Sequence, residues 1–245
     1  MVRQKISNLL KRTISSLIAI PLVFLIIYDK SGLGFSFVIL LFALLSIYEI
    51  SSMSDTSLVL NGLLHGAVVL VLFLSPARVS YVFFPIVWAF LIYEIINHPK
   101  RRACFWLYNI VLAYTWFFAL KLWLLGSVYL VHALLFIWCI DSVAFLGGYW
   151  MGQVPLWKSV SPNKTVEGAA CAIIIGVLWP FMPLKGGIVA LASVYGDLVE
   201  SRLKRLAGCK DSGNFLPGHG GLLDRIDSVT AGLPLYFFFL LFGVN

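Results

Sequence analysis

Charged side chains are scarce in this sequence. Asp, Glu, Lys and Arg make up 12% of its 245 residues, whereas hydrophobic types make up 60%. An ordinary soluble domain has about 25% charged and roughly 45–50% apolar residues. The composition therefore excludes an ordinary water-soluble domain and predicts an integral membrane protein with an all-α fold.

Paired cysteines and a soluble basic region are also missing. The four cysteines are scattered, with no CxxC pair and no neighbouring His at ligand spacing, which excludes a disulfide framework and a zinc site. The net charge of +7 comes from bases at the ends of apolar runs and in one polar stretch. That distribution argues against nucleic acid as a partner. The sequence also has no internal repeat and no low-complexity linker.

Apolar runs that could cross a bilayer occur nine times. About 20 helical residues span the hydrocarbon of a bilayer. The first run follows four basic residues, as in a signal peptide, but no small-residue cleavage site comes after it, so we expect a retained span. The sequence thus predicts a polytopic protein of about nine transmembrane helices. They cover residues 13–28, 33–50, 57–75, 79–97, 103–120, 122–140, 168–184, 186–199 and 229–244.

The distribution of Lys and Arg predicts the orientation. If the N-terminus is inside, 14 of these residues lie in inner segments and 4 in outer ones, as cytoplasmic loops prefer. Both long polar loops, 150–167 and 200–228, then lie in the cytoplasm. Because seven of the eleven acids follow residue 121, we expect residues 1–121 to form a lipid-facing scaffold and 122–245 to form the catalytic part.

The first polar stretch, residues 141–168, ends at the predicted start of a helix. Ser161 and Lys164 precede Thr165, where the helix begins, and Glu167 falls in its first turn. A helix N-terminus flanked by hydroxyl groups and a lysine is typical of a phosphate-binding site. The same pattern also fits an ordinary capped helix start, and both interpretations stay open.

The second polar stretch, residues 196–228, concentrates acids and bases. If the eighth helix continues to residue 207, Asp197, Glu200 or Ser201, and Lys204 share one face. Carboxylates close to the membrane surface are costly unless they meet a cation. Oxygen-only ligands favour Mg²⁺, which typically accompanies substrate phosphates. The alternative is a solvated network of ion pairs, but so many charges in one window favour a metal site.

Two further features of this stretch bear on its chemistry. Asp224 and Asp227 are three residues apart at the predicted start of the ninth helix. His219 lies in a Gly-His-Gly-Gly turn, where a histidine acts as a proton donor, a phosphate hydrogen-bond donor or a structural donor to nearby carbonyl groups. We therefore place His219 in the site without assigning it a proton transfer.

The second stretch resembles the signature of the phosphatidate cytidylyltransferases, also called CDP-diacylglycerol synthases, whose pattern is S-x-x-K-R-x4-K-D-x5-P-x-H-G-G-x-x-D-R-x-D. The first stretch is similar to another conserved block of that family, although Phe145 and Gln153 depart from it. Together the two blocks cover about a quarter of the chain. The signature positions here are Ser201, Lys204, Arg205, Lys210, Asp211, Pro217, His219, Gly220, Gly221, Asp224, Arg225 and Asp227.

The resemblance implies that CTP and phosphatidate react to give CDP-diacylglycerol and pyrophosphate, with one or two metal ions, of which Mg²⁺ is the expected one. It also implies a bacterial inner-membrane protein with its active site at the cytoplasmic face, and it is compatible with a homodimer. The expected metal ligands are Asp141, Asp197, Asp224 and Asp227. The expected catalytic residues are Lys204, Arg205, Lys210, Asp211, His219 and Arg225. The expected substrate-binding residues are Ser161, Lys164, Thr165, Glu167 and Ser201.

Two other functions are alternatives to this one. A CTP-dependent transferase that acts on another lipid phosphate or lipid alcohol, of isoprenoid type, would have the same site. A transporter would carry paired broken helices near the middle of the membrane, whereas the polar residues here gather at one face. The sequence therefore favours a transferase over a transporter.

Overall fold

The computed structural model describes residues 23–29, 31–75, 77–97, 101–213, 215 and 220–242. Residues 23–27 are helical, while most of the first predicted span and His219 lie outside the described residues. The remaining elements follow in chain order. They are α1 (Leu33–Ser54), α2 (Leu58–Leu74), α3 (Ala77–Asn97), α4 (Arg101–Leu125), α5 (Ser127–Met151), β1 (Pro155–Trp157), β2 (Ser161–Thr165), α6 (Val166–Val177), α7 (Lys185–Leu206), α8 (Leu223–Ile226) and α9 (Val229–Leu241).

The described residues are mostly helical, as predicted. Among the described residues, three helices are long and apolar enough to cross a membrane, namely Leu33–Ser54, Arg102–Leu125 and Ser127–Met151, and three shorter helices are also apolar. Large apolar side chains such as Leu40, Leu63 and Leu74 are exposed, which suits a surface surrounded by lipid. The total of nine spans stays a prediction.

Helix α4 lies at the centre of the molecule. Its Phe105, Tyr108, Leu112 and Leu122 are buried completely or almost completely, and the helix packs against α1, α2, α3, α5 and α9. Lipid chains are as apolar as leucine, so close packing rather than exclusion of water holds such helices together. Because α4 contacts helices of both predicted parts, it connects the N-terminal helices to those that carry the polar loops.

Small residues bring α6 and α7 together. A Cβ atom on Gly176 would lie 2.5 Å from the Gly186 carbonyl oxygen, and one on Gly186 would overlap with the Gly176 carbonyl. The two backbones therefore approach each other as closely as small-residue helix pairs do in membranes. This contact fixes α7, whose far end carries the polar residues of the second stretch.

Several predicted boundaries were wrong. Helices α4 and α5 are separated at Gly126, with φ 147°, rather than at residue 121, and α5 continues to Met151, so that Asp141 lies within a helix. Helix α6 ends at Val177 rather than near residue 184. Hydropathy indicates where a segment enters the hydrocarbon, but residues such as Gly126 determine where the helix stops.

Two features of the polar loops also differ from the prediction. The loop 150–167 contains a short antiparallel hairpin in which Pro155 pairs with Thr165 and Trp157 with Ser161, so the fold is not purely α-helical. Asp224 lies in the four-residue helix α8, while Asp227 follows it and precedes α9. The two acids therefore do not share the start of one long helix.

Candidate functional site

Four charged residues from four parts of the chain form the centre of the candidate site. Lys164 on β2 forms an ion pair with Asp197 on α7. Asp227, between α8 and α9, is hydrogen-bonded to Asp197 through its carboxyl group. Asp141 on α5 accepts a 2.5 Å hydrogen bond from the Ser228 hydroxyl. We call Asp141, Asp197 and Asp227 the aspartate cluster.

The aspartate cluster is short of positive charge. Burial raises the pKa of the Asp227 carboxyl well above its usual range, and the neighbouring charge of Asp197 raises it further, whereas Lys164 acts in the opposite direction. A hydrogen bond between two carboxyl groups requires a proton on one of them. A cation in the place of that proton would let both groups ionise. The cluster therefore has the electrostatics of a site that accepts a cation.

The ligand chemistry of the cluster fits Mg²⁺, which prefers carboxylate oxygens. The lysine ammonium group at Asp197 also shows that this position accepts a positive charge. Within the part of the chain that the structure describes, no three acidic, His or Cys side chains already converge closely enough to hold a metal ion. The fit therefore rests on the donor set and not on a preformed coordination geometry.

A second cluster, which we call the lysine cluster, consists of Glu200 and Lys204 on α7 and Asp224 on α8. The Lys204 ammonium lies 2.6 Å from Asp224 Oδ1 and 3.1 Å from Glu200 Oε1. Tyr108 donates a 3.2 Å hydrogen bond to Glu200 Oε2 from the central helix α4. All of these groups are largely buried. Lys204, an expected catalytic residue, is thus paired with two protein carboxylates.

Asp224 is fully occupied within this second cluster. Its Oδ2 accepts hydrogen bonds from the Ser212 N–H at 2.9 Å, the Ser212 hydroxyl at 3.0 Å and the Gly221 N–H at 2.8 Å. Burial acts to raise the pKa of Asp224, but the hydrogen bonds from Lys204 and the Gly221 N–H outweigh it and lower the pKa. In the structure Asp224 is therefore held by Lys204 and by the loop around Ser212 and Gly221.

Among the described residues, the other predicted site residues of the second stretch lie on α7, in the loop that follows it or on α8. Ser201 is buried on α7, and Arg205 donates a 2.9 Å hydrogen bond to the Cys209 carbonyl. Four side chains of the signature that the structure describes are exposed. They are Arg205, Lys210, Asp211 and Arg225.

The predicted substrate-binding residues of the first stretch surround the start of α6. The Thr165 side chain caps this helix by accepting a 3.2 Å hydrogen bond from the Gly168 N–H, and Glu167 lies in the first turn, as predicted. The Glu167 carboxylate accepts from the Val154 N–H at 3.3 Å and 3.4 Å and so ties the hairpin to α6. Ser161 starts β2 and is half-buried. Of this set, Lys164 reaches the aspartate cluster.

Sequence reasoning missed Ser228, Ser212 and Tyr108. Ser228 directly follows the last aspartate of the signature, and that position is a signal that could have identified it. Ser212 follows Asp211 but carries no pattern of its own. Tyr108 is far away in an apolar run, and nothing in the sequence connects it with Glu200.

Comparisons with known proteins agree with the motif. The model of the cytidylyltransferase family matches residues 10–242. A protein of Staphylococcus aureus named phosphatidate cytidylyltransferase is 32% identical across 91% of this chain and 96% of its own length. One of the same name from Staphylococcus epidermidis is 33% identical with the same coverage. A Bacillus subtilis protein of that name is 43% identical over 48% of this chain, a match that spans about half of that relative's length.

Proposed function

Because the chain belongs to the cytidylyltransferase family, we propose that it is a phosphatidate cytidylyltransferase, which makes CDP-diacylglycerol and pyrophosphate from CTP and phosphatidate in phospholipid biosynthesis. Relatives of that name align with nearly the whole chain. One residue of the signature, Asp227, belongs to the aspartate cluster. The activity therefore belongs to the site described above.

The reaction needs charge neutralisation and positioning more than a strong base. The phosphomonoester of phosphatidate is already ionised, and one of its oxygens attacks the α-phosphorus of CTP. A new P–O bond forms as the bond to the pyrophosphate leaving group breaks. Positively charged groups and fixed geometry lower the barrier of such a displacement. The phosphates meet exposed positive charge from Arg205, Lys210 and Arg225. In this proposal His219 donates a further hydrogen bond to a phosphate group.

We include Mg²⁺ in the proposal, held by Asp141, Asp197 and Asp227. These three acids offer only oxygen ligands, a set that suits Mg²⁺ together with substrate phosphates. When bound, the ion would neutralise charge on the triphosphate. Asp224 orders the loop rather than the ion, since both of its oxygens are engaged. Likewise, Lys204 holds the carboxylates of the lysine cluster.

We place the site at the cytoplasmic face of a bacterial inner membrane. The excess of Lys and Arg in the inner segments supports this orientation. The head group of phosphatidate lies at the same interface at which CTP arrives from the cytoplasm. Both substrates can then reach the aspartate cluster without crossing the bilayer.

The observation that carries the proposal is the ion pair between Lys164 and Asp197. It joins the two polar stretches that resemble the family's conserved blocks, as a single nucleotide site requires. The test is to incubate purified protein with labelled CTP, Mg²⁺ and phosphatidate, and in parallel with an isoprenoid phosphate. We expect CDP-diacylglycerol and pyrophosphate only with phosphatidate. Product only with the isoprenoid lipid would replace the substrate assignment, and no product with either lipid would overturn the proposal.

A further inference from the structure

Glu49 is a buried acid in the N-terminal part of the chain, near the end of α1, with 3% of its surface exposed. Its carboxylate reaches the loop that leads into α8. Oε1 accepts a 2.7 Å hydrogen bond from the Leu222 N–H, and Oε2 accepts a 2.9 Å hydrogen bond from the Leu223 N–H. Oε2 also lies 2.9 Å from the Ser212 hydroxyl. A membrane helix far away in sequence thus holds the signature loop.

These contacts provide a cap that α8 does not have locally. Leu222, the residue at the N-cap position, makes no capping hydrogen bond with its own side chain, and the first N–H groups of a helix need acceptors from elsewhere. A charged acceptor forms stronger hydrogen bonds to such groups than a neutral one. A buried carboxylate is itself tolerated only when donors surround it. Glu49 and the loop therefore stabilise each other.

Ser212 connects Glu49 with the lysine cluster. The Ser212 hydroxyl lies between Glu49 Oε2 at 2.9 Å and Asp224 Oδ2 at 3.0 Å. Its single hydrogen serves one carboxylate at a time, so its position depends on both. The nearby glycines leave space for this arrangement, because a Cβ atom on Gly221 would lie 2.6 Å from both Glu49 oxygens. The contact requires a glycine at this point of the signature.

We propose that Glu49 is a positioning residue for cytidylyl transfer. It fixes α8 against α1 and thereby determines where Asp224, Arg225 and the following Asp227 stand. This inference rests on the proposed function, and it gives the N-terminal part of the chain a direct role in ordering the site. The hydrogen bonds of Glu49 go to the loop at Ser212, Leu222 and Leu223, so it acts through the loop.

The test compares Glu49→Gln with Asn61→Ala in detergent-purified full-length protein. Gln keeps the size of the side chain but replaces one acceptor oxygen by an amide donor facing backbone N–H groups. Asn61 donates side-chain hydrogen bonds to Ser51 and Thr56 at the same end of the α1–α2 pair, so the hydrogen bonds that it donates lie within this pair and its connection. It therefore controls for a general loosening of the two helices.

Two readouts separate positioning from bulk stability. Amide hydrogen exchange at Leu222 and Leu223 reports the cap, and kcat and KM for CTP report the reaction. We expect Glu49→Gln to raise exchange at both amides at least about tenfold and to lower kcat at least about tenfold, as a misplaced catalytic group does. Glu49→Asp should recover part of both effects. Asn61→Ala should leave both within about twofold of wild type.

Unchanged exchange in Glu49→Gln would overturn the proposal, and so would faster exchange with kcat within about twofold of wild type. If Glu49→Gln does not purify as folded protein, Glu49→Asp carries the test, because the shorter carboxylate keeps its charge but reaches fewer of the three donors. If wild-type protein forms no CDP-lipid, the proposed function fails, and the exchange rates still decide whether Glu49 holds the loop.

Discussion

Lys164, on the second strand of the hairpin, forms an ion pair with Asp197 near the middle of α7. The contact joins two polar stretches that an apolar helix and a turn separate in the sequence. Asp197 in turn is hydrogen-bonded to Asp227. The lysine therefore lies at the point where the hairpin, α7 and the signature loop meet.

Removal of the Lys164 ammonium group should impair the reaction more than removal of a neighbouring one. Lys164→Ala leaves Asp197 and Asp227 without their nearest cation, so we expect activity to fall at least about tenfold, the loss typical of a missing electrostatic contact in an active site. Lys158→Ala is the matched control, since Lys158 is exposed in the same hairpin. Formation of CDP-diacylglycerol by both variants gives the comparison. Equal activities would remove Lys164 from the site.

Asp227→Asn should abolish a stabilising effect of Mg²⁺. A ligand that binds the folded state raises the unfolding temperature, by an amount that follows its concentration relative to Kd. We expect wild-type protein in detergent to show a higher Tm with millimolar Mg²⁺ and Asp227→Asn to show none. Without Mg²⁺ the variant should be at least as stable as wild type, because burial and Asp197 oppose ionisation of Asp227. The same Mg²⁺ shift in both proteins would contradict the metal role.

Lys204→Met should destabilise the fold. The substitution leaves two buried carboxylates, Glu200 and Asp224, without their shared cation, and the loss of one partner of a buried pair costs about 3–5 kcal/mol. We expect a clearly lower Tm and partial recovery in Lys204→Met/Glu200→Gln, which removes one of the stranded charges. A variant as stable as wild type that binds CTP weakly would instead return Lys204 to the role of a phosphate ligand.

The contact between α6 and α7 should not tolerate a side chain. Gly176→Val places atoms against the Gly186 carbonyl, and we expect separated helices and protein that unfolds or aggregates on purification. Gly62→Ala is the control, because nothing lies within 4 Å of its Cβ position. Alanine should stabilise α2 there by about 0.5–1 kcal/mol. Measurement of Tm for both variants decides, and a Gly176→Val protein with the wild-type Tm would refute the packing argument.

The mostly helical class of the fold could be predicted from the sequence. Apolar runs of about 20 residues directly indicate helices in lipid. Helix α7 continues past Asp197 to Leu206, which meets the condition under which the sequence places Asp197, Glu200 or Ser201, and Lys204 on one face. The cap at Thr165 followed from local chemistry alone.

The helix ends and the ion pairs could not be predicted in the same way. The polar side chain of Asp141 predicts the end of a span, yet no glycine or proline stops α5 there, and the Ser228 hydroxyl donates a hydrogen bond to the carboxylate from a distant part of the chain. The spacing of Asp224 and Asp227 groups Asp224 with the predicted metal ligands. In the fold, however, Lys204 and loop N–H groups donate hydrogen bonds to the Asp224 carboxylate. Glu49 had no local signal at all. Each of these features depends on which helices become neighbours.

We propose that the cytidylyl group of CTP is transferred to phosphatidate at the aspartate cluster. The most direct measurement is the amount of CDP-diacylglycerol and pyrophosphate formed from labelled CTP, phosphatidate and Mg²⁺ by wild-type protein and by Asp227→Asn at matched, folded concentrations. The account predicts stoichiometric formation of the two products by the wild type and a near-complete loss in the variant. A variant that retains more than about a tenth of wild-type turnover, or a folded wild-type protein that forms neither product, would contradict it.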